Sequence, residues 1–456
     1  MKIHTLFFAV FALIPGAVLL TPAAHAAQVH LDADLGQSAL PSKSSGSVYL
    51  RLSLKSLAAE KKEHRTPLNV AIVIDRSGSM EGDRIVAARE AANVALERLS
   101  ADDVVSLVAF NHKVDVLHPA ARLGTSHESL KRAIAQLKPD GTTALYAGVK
   151  EGGQQVKEFV SDTKVNRVIL VSDGLANVGP STPSEVASLG RELAGKGISV
   201  TTIGLGLDYN EDLMQRLAAA SDGNHAFVES PRQLASIFDK EFGDALSVSA
   251  RDIIINIEFK EGFKPKRVLG REAEISGSRV TLKMTQMQSD NERYVVIEAG
   301  VPAGAAPGDM SVADVEMEYF DLDTNAKATS QASVRAKITS DEKEAEASLN
   351  KSVMSQVTEQ VATENSERSV ELRDKGDIEG AKKMLQDNAA YLGRQKGSLS
   401  TSSVASPAAP TASIQKLEEL EKRSNEAANS LEGEDWDRTR KAMRYDQHKS
   451  KVQQKY

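Results

Sequence analysis

The stretch Val73–Met80, with the sequence VIDRSGSM, joins an apolar strand directly to an acid and to two hydroxyl side chains spaced two residues apart. Gly78 lies between the hydroxyls of Ser77 and Ser79 and permits a sharp turn there. In an open parallel sheet, ligands bind beyond the carboxyl ends of the strands, near the point where the strand order reverses. Asp75, Ser77 and Ser79 are therefore expected at the binding edge of such a sheet.

Two further segments have the same character. An apolar run at 167–171 ends in the sequence Ser-Asp-Gly, which places Asp173 at a second strand end. The loop Asp140–Ala144 (DGTTA) opens a predicted helix and offers two more hydroxyls. Carboxylate and hydroxyl oxygens without Cys or His are typical ligands of Mg²⁺, Mn²⁺ or Ca²⁺ and disfavour Zn²⁺ or copper. Two carboxylates offset the charge of a divalent ion, and neutral hydroxyls leave it able to accept another anionic oxygen.

Apolar runs rich in Val and Ile alternate with amphipathic helical patterns from Leu68 to Phe242. Runs with little polar interruption are typical of parallel strands that helices cover on both faces. One helical pattern, Arg84–Leu99, keeps its apolar residues on a single stripe and has Asp83 as a plausible N-cap. The alternation predicts a doubly wound, mostly parallel α/β domain over residues 67–247, with right-handed crossovers.

The residues on either side of this domain change to the two-residue rhythm of half-exposed strands. Residues 27–66 and 248–339 both show it, with Gly, Pro and Asp/Asn turns between the strands. The strands at 27–66 are too few to form a core alone, since an isolated hairpin is marginal in water. We therefore expect the two portions to pair in one β-sandwich, with the α/β domain inserted between them.

The remaining chain is predicted to be helical. Residues 340–396 indicate a helical hairpin whose turn contains Gly376. Residues 397–413 are rich in Ser, Pro and Ala, which is typical of a flexible linker. Residues 414–456 contain a Leu/Glu/Lys helix followed by a highly charged tail, whose charges favour a solvated helix face and loose packing.

The N-terminus and the composition indicate the compartment. Lys2, the apolar run Leu6–Leu20 and the small residues around Ala26 have the order of a cleaved signal peptide, residues 1–26. We expect a periplasmic or secreted protein without stable membrane insertion. The chain has no Cys, so disulfides and thiolate metal sites are excluded. Its net charge of −7 is unsuited to a nucleic-acid partner, which needs clustered Lys and Arg.

The three oxygen-bearing segments resemble the metal-ion-dependent adhesion site of von Willebrand factor A domains, a likeness that covers roughly Pro67–Ser247. It implies a Rossmann-like fold that binds one divalent cation, with Mg²⁺ favoured. The implied metal ligands are Asp75, Ser77, Ser79, Thr143 and Asp173. The hydroxyls would bind the cation directly, and the two carboxylates would act largely through bound waters. Thr142 competes for its loop position, and Thr143 is preferred because it aligns better with the family's loop and helix start.

The resemblance implies a non-catalytic module whose cation accepts an Asp or Glu of a protein partner. The arrangement of domains also resembles bacterial exported A-domain proteins and, in architecture alone, inter-alpha-trypsin inhibitor heavy chains. One alternative is an Mg²⁺-dependent hydrolase or phosphatase with Asp75 as nucleophile. That reading is disfavoured because Ser77 stands where such enzymes carry a second acid. A third alternative is a scaffold whose β-module and helical tail do the binding.

Two neighbouring features have competing interpretations. Arg76 is either a second contact for an acidic partner or a solvated loop residue, and the solvated residue is favoured. The acidic stretch Asp208–Asp212 suggests Ca²⁺, but it lacks the twelve-residue calcium loop. Because that stretch lies where a helix is predicted to begin, helix capping is favoured there.

Overall fold

The computed structural model describes residues 29–42, 46–57, 65–161, 163–401, 407–432 and 435–454. The predicted signal peptide at 1–26 lies outside these residues. Within them, no helix is both long enough and apolar enough to cross a membrane.

The strands and helices are numbered in chain order. The strands are β1 (Val29–Leu35), β2 (Ala39–Pro41), β3 (Ser47–Ser56), β4 (Leu68–Asp75), β5 (Val104–Phe110), β6 (Val114–Arg122), β7 (Val165–Ser172), β8 (Ile198–Leu205), β9 (His225–Val228), β10 (Val248–Phe259), β11 (Lys264–Leu269), β12 (Glu274–Ser276), β13 (Arg279–Gln288), β14 (Glu292–Gly300), β15 (Gly308–Asp321) and β16 (Ala326–Thr339). The helices are α1 (Asp83–Arg98), α2 (Leu123–Ala135), α3 (Leu145–Lys157), α4 (Pro183–Ala194), α5 (Glu211–Ala220), α6 (Leu234–Leu246), α7 (Glu342–Ala347), α8 (Lys351–Asp374), α9 (Ile378–Ser400), α10 (Thr411–Asn429) and α11 (Asp435–Val452).

Strand β4, the first of the α/β domain, lies near the middle of a six-stranded sheet with the order β6-β5-β4-β7-β8-β9. The chain adds β5 on one side of β4 and then returns to add β7 on the other side. Both strands pair with β4 in parallel, whereas the edge strand β6 is antiparallel to β5. The strand order therefore reverses between β4 and β7, which is where ligands bind in sheets of this kind.

Helices cover both faces of this sheet. Successive residues of a strand point to opposite faces, so neighbouring residues of one strand pack against different helices. On one face, Ile72 and Ile74 of β4 pack with α1 and α6, whose buried Ala88 and Phe238 join the same cluster. On the other face, Val73 packs with α3, α4 and α5. Every residue of β4 is buried, as expected for a strand that is covered twice. The predicted doubly wound, mostly parallel sheet is confirmed.

The β-module consists of two packed sheets, with the orders β1-β3-β14-β11 and β12-β13-β10-β15-β16-β2. The N-terminal strands contribute to both, since β3 pairs with β14 and β2 pairs with β16. Inward-facing residues of the two sheets, such as Leu52 of β3 and Ile255 of β10, share one buried core. The α/β domain leaves the module after β3 and returns to it at β10. This confirms the predicted β-sandwich with an inserted domain.

The α/β domain is fastened to the sandwich at the sheet edge opposite the binding edge. Asp222, in the turn between α5 and β9, forms ion pairs of 2.7 Å with Arg271 and 3.3 Å with Arg293. It also accepts a 2.8 Å hydrogen bond from the backbone N–H of Thr285. The side chains of Asp222 and its two arginine partners are each less than 10% exposed, so charged groups hold the two parts of the chain in a fixed orientation.

The C-terminal region is helical, but its boundaries differ from those predicted. Helices α8 and α9 form a hairpin that turns at Gly376, whose φ of 87° suits a residue without a side chain. Of the predicted linker at 397–413, the first residues belong to α9 and the last belong to α10, while 402–406 lie outside the described residues. The Ser-rich composition is overridden there because Leu399 and Ala409 are buried against α10.

The charged tail is packed rather than loose. In α11, Trp436 and Met443 join an apolar cluster with Val370 of α8. Lys441 and Arg444 of the same helix are almost fully buried. A charge pattern predicts solvation only when no complementary charges face it. Here Lys441 faces Glu211 and Arg444 faces Asp212, two acids of α5 that lie more than two hundred residues earlier.

Candidate metal centre

The turn after β4 is shaped by the carboxylate of Asp75. Its Oδ1 accepts a 2.8 Å hydrogen bond from the backbone N–H of Ser77. The chain then makes one turn of 3-10 helix over Gly78–Met80, so that the hydroxyls of Ser77 and Ser79 point to the same side, with 3.0 Å between their oxygens. The spacing of two residues, which the sequence shows directly, thus brings both hydroxyls beyond the end of the strand.

The second carboxylate oxygen of Asp75 joins β4 to β7. Asp75 Oδ2 accepts a 2.6 Å hydrogen bond from the hydroxyl of Ser172, the last residue of β7. Asp75 is fully buried, and this burial raises its pKa to about 6, while the hydrogen bonds from Ser172 and Ser77 oppose the rise. A cation nearby would favour the charged carboxylate, because an opposite charge lowers the pKa of an acid.

Asp173, the residue after β7, lies across the turn from Ser79. The Ser79 hydroxyl donates a 2.8 Å hydrogen bond to Asp173 Oδ1. Arg84, at the start of α1, donates to the other oxygen, with 2.5 Å between Nη1 and Oδ2. The second guanidinium nitrogen of Arg84 binds Asp208 at 2.9 Å, so one side chain links two strand-end loops.

The third loop brings Thr143 to the same edge. The backbone N–H of Thr143 donates a 2.8 Å hydrogen bond to Asn177 Oδ1, and the N–H of Asn177 returns a 3.1 Å bond to the Thr143 carbonyl. A further backbone bond of 2.9 Å joins Gly78 N–H to the carbonyl of Gly141. Gly141 has a φ of 75°, and a Cβ there would lie 2.3 Å from the His112 ring, so only glycine fits.

The three hydroxyls converge on one point beside Gly174. A Cβ atom built on Gly174 would lie 3.0 Å from Thr143 Oγ1, 3.3 Å from Ser79 Oγ and 3.7 Å from Ser77 Oγ. Ser79 is exposed to solvent, while Ser77 and Thr143 are buried. The arrangement is a small cradle of hydroxyl oxygens, backed by two buried carboxylates and open on the side of Ser79. It fits a hard, oxygen-preferring cation.

All five residues singled out in the sequence therefore lie together, and their role as cation ligands remains a prediction. Thr142 is exposed, whereas Thr143 is buried with its hydroxyl in the cradle. Arg76 is not a freely solvated loop residue, because it forms an ion pair with Asp115 of β6, and its contact with an acidic partner stays a prediction. Over the described ranges, no three His, Cys, Asp or Glu side chains come together as a metal-binding group.

The sequence analysis gave no role at this site to four residues that position it: Ser172, Asn177, Arg84 and Asp208. Ser172 and Asn177 are close in sequence to Asp173, and their proximity is the one signal that points to them. Nothing in the sequence pairs Arg84 with Asp173, since the tertiary fold creates that contact. The acidic stretch 208–212 behaves as expected at its helix start, where Asn210 caps α5 through the N–H of Leu213.

Comparisons with known proteins agree on the central domain. Residues 69–240 match the family model described as the von Willebrand factor type A domain. A solved structure described as von Willebrand factor type A from Catenulispora acidiphila matches 86% of this chain and 96% of its own, with a TM-score of 0.68 and 17% identity. The ArnB paralog VWA2 from Sulfolobus acidocaldarius matches 93% of this chain and 98% of its own, with a TM-score of 0.61 and 18% identity. At such identities, the likeness concerns the fold.

Curated relatives are similar over about half of the chain. An uncharacterised protein of Synechocystis sp. is 26% identical over 58% of this chain. The protein YfbK of Escherichia coli, also described as uncharacterised, is 27% identical over 46%, and the inter-alpha-trypsin inhibitor heavy chain H2 of Sus scrofa is 25% identical over 49%. The matches span 65%, 36% and 25% of these relatives' own lengths.

Proposed function

Because residues 69–240 form a von Willebrand factor type A domain, we propose that this chain is an exported, non-catalytic protein that holds a protein partner through a bound divalent cation. Mg²⁺ is the cation we favour, and Mn²⁺ and Ca²⁺ accept the same ligand types. The partner would contribute the carboxylate of an Asp or Glu. Export rests on the signal-peptide pattern of residues 1–26, and cation binding rests on the cradle beside Gly174.

The convergence of three hydroxyl oxygens on one point carries this proposal. Mg²⁺ prefers six oxygen ligands at about 2.0–2.1 Å and usually keeps several waters. Ser77, Ser79 and Thr143 would bind the cation directly, whereas Asp75 and Asp173 would balance its charge and orient its waters. The bound cation would supply an electrophilic position, and the open side at Ser79 would let a carboxylate reach it.

The geometry argues against a catalytic role for Asp75 and against a free charged tail. Asp75 is buried, and both of its oxygens accept hydrogen bonds, from the Ser77 N–H and the Ser172 hydroxyl. A nucleophile needs a free oxygen facing its substrate, so Asp75 is a poor candidate for phosphoryl transfer. The scaffold alternative places binding in the β-module and the helical tail. In the tail, Arg440 and Lys441 are engaged in ion pairs with the α/β domain itself.

The first experiment measures Mg²⁺ binding alone, by isothermal titration calorimetry of the full chain. We expect Asp75→Ala and Ser79→Ala each to weaken binding by at least about tenfold, equivalent to about 1.4 kcal/mol. Ser79 is exposed, so its variant tests the site without threatening the fold. Asp239→Ala is the matched control, because Asp239 pairs with Arg98 on the surface of α6. Unchanged Mg²⁺ affinity in both site variants would contradict the proposal.

The second experiment asks whether the cation holds a partner. The wild-type chain is used to capture proteins from an envelope extract in Mg²⁺ and in EDTA, with Ser79→Ala and Asp239→Ala in parallel. A partner bound through the cation is retained by wild type and by Asp239→Ala in Mg²⁺. It is lost both in EDTA and in Ser79→Ala. Capture that is insensitive to EDTA and to Ser79→Ala would instead favour binding by the β-module or the helical tail.

A further inference from the structure

Arg84 occupies a position that the proposed function does not use. Its Nη1 lies 2.5 Å from Asp173 Oδ2 and 3.3 Å from the backbone carbonyl of Ser79, so it contacts two residues of the hydroxyl cradle. Its side chain is 27% exposed, and Asp173 is fully buried. A fixed positive charge therefore stands directly beside the place where a divalent cation is expected.

The other end of the guanidinium rests on the loop 206–210 after β8. Nη2 binds Asp208 at 2.9 Å, and a Cβ built on Gly206 would lie 3.1 Å from the same nitrogen. The loop is held down by Tyr209, whose ring covers the end of β8 so closely that a Cβ on Gly204 would lie 2.1 Å from it. The position of Arg84 thus depends on the position of this loop.

Helix α11 contacts the same loop and the adjacent start of α5. Lys441 donates to the Tyr209 carbonyl at 3.1 Å and to Glu211 Oε2 at 2.8 Å, with its Nζ 4.8 Å from the centre of the Tyr209 ring. Arg440 and Arg444 pair with Asp212 at 2.6 Å and 2.9 Å. Lys441 is 4% exposed, so this contact is buried between α11 and the loop.

We propose that Arg84 competes with the cation for Asp173, and that α11 sets the strength of this competition by fixing the loop 206–210. The inference rests on the proposed cation site. A guanidinium beside the cradle repels a divalent ion and occupies the Asp173 oxygen that the ion's waters would use. While α11 is docked, Asp208 and the loop hold Arg84 in place, and the cation is bound more weakly than the ligand set allows.

The proposal implies a reciprocal effect. If docking of α11 lowers the affinity for the cation, binding of the cation must weaken the docking of α11 by the same factor. The C-terminal helix would then report the state of the cation site. A protein that binds α11 would then change the affinity of the cation site for the carboxylate of its partner.

The test is Mg²⁺ titration of four variants of the full chain. Arg84→Gln removes the positive charge, and we expect it to bind Mg²⁺ at least about fivefold more tightly than wild type, the lower end of typical coupling between sites. Arg84→Lys keeps the charge and is expected to stay closer to wild type. Lys441→Met touches no residue of the cradle and should shift affinity in the same direction as Arg84→Gln. Arg438→Met is its matched control, since Arg438 lies on the same helix as Lys441 but pairs with Glu229, the residue after β9.

Hydrogen exchange adds a readout that a merely structural role of Arg84 would not move. Saturating Mg²⁺ should speed amide exchange of α11 in the wild type and leave it unchanged in Arg84→Gln, with α4 as the internal reference. Equal or weaker Mg²⁺ binding by a folded Arg84→Gln would overturn the competition. Equal affinities for Lys441→Met and Arg438→Met would overturn the role of α11. A folded wild type that binds no Mg²⁺ would overturn the proposed function as well, which separates the two failures.

Discussion

Gly174 gives the sharpest single test of the proposed position of the cation. The change Gly174→Ala adds one methyl group at a point 3.0 Å from Thr143 Oγ1, 3.3 Å from Ser79 Oγ and 3.7 Å from Ser77 Oγ. The φ of Gly174 is not in the left-handed region, so alanine adopts this backbone without strain. The substitution therefore places an apolar atom among the three oxygens while it leaves every predicted ligand in the chain.

The magnitudes follow from these distances. Two of the three contacts are tighter than ordinary van der Waals contact, so the hydroxyls must move by a few tenths of an ångström. Overpacking of this kind costs about 1–3 kcal/mol, and the loss of glycine's freedom in the unfolded chain returns about 0.4–1 kcal/mol. We expect a net loss of roughly 0–3 kcal/mol in the free energy of unfolding. Mg²⁺ affinity should fall by at least about tenfold, because the methyl group blocks the cradle.

The assay combines calorimetric Mg²⁺ titration with urea unfolding at the same protein concentration. Gly243→Ala is the matched control: it lies in α6, and no atom lies within 4 Å of the added Cβ. It should leave Mg²⁺ affinity unchanged and raise the free energy of unfolding by about 0.8–1 kcal/mol, since alanine favours helix. A folded Gly174→Ala that binds Mg²⁺ with wild-type affinity would refute the placement of the cation among these hydroxyls.

Two further predictions concern the C-terminal helix. Burial lowers the pKa of His225 to about 3 and that of His448 to about 4. Both histidines stay neutral in the folded chain, whereas in the unfolded chain they titrate near pH 6.5. Their contribution to the free energy of unfolding is therefore fully present above about pH 6.5 and falls by roughly 1–3 kcal/mol per pH unit below it. Urea unfolding at about pH 7.5 and about pH 5 measures how steeply the free energy of unfolding depends on pH. This dependence should be weaker in His448→Gln, and an unchanged dependence would contradict this account. Trp436→Ala should lower the free energy of unfolding by about 3–5 kcal/mol, because this indole of α11 is buried against α8. Urea unfolding monitored by circular dichroism measures the loss, and a loss below about 1 kcal/mol would mean that α11 is not docked.

The central fold was accessible from sequence because its signals are local. A strand that is covered on both faces is mostly apolar, and β4, β7 and β8 are buried at every position. The change to a two-residue rhythm on either side of 67–247 likewise identified the sandwich, and the shortage of N-terminal strands indicated that the two portions pair. These inferences need only periodicity and the rule that a hairpin alone is marginal.

The packing of the helical tail could not be predicted in the same way. Its composition favours solvation, and α11 is buried because distant groups complement it. Lys441 finds Glu211 at 2.8 Å, and His448 lies 3.0 Å from the carbonyl of Gly223. Such pairs cannot be predicted from a short stretch of sequence, since the two partners are far apart in the chain and neither has an unusual neighbour in sequence.

For the candidate site itself, the sequence alone identified the predicted donors. Asp75, Ser77, Ser79, Thr143 and Asp173 stand at strand ends and helix starts that any parallel sheet brings to one edge. Their oxygen chemistry also follows from residue type alone. The tertiary structure alone decided how those donors are held and balanced. Ser172 fixes Asp75, and Arg84 bridges Asp173 to Asp208. Side-chain pairing across strands depends on distances that only the folded chain sets, and a local pattern contains none of them.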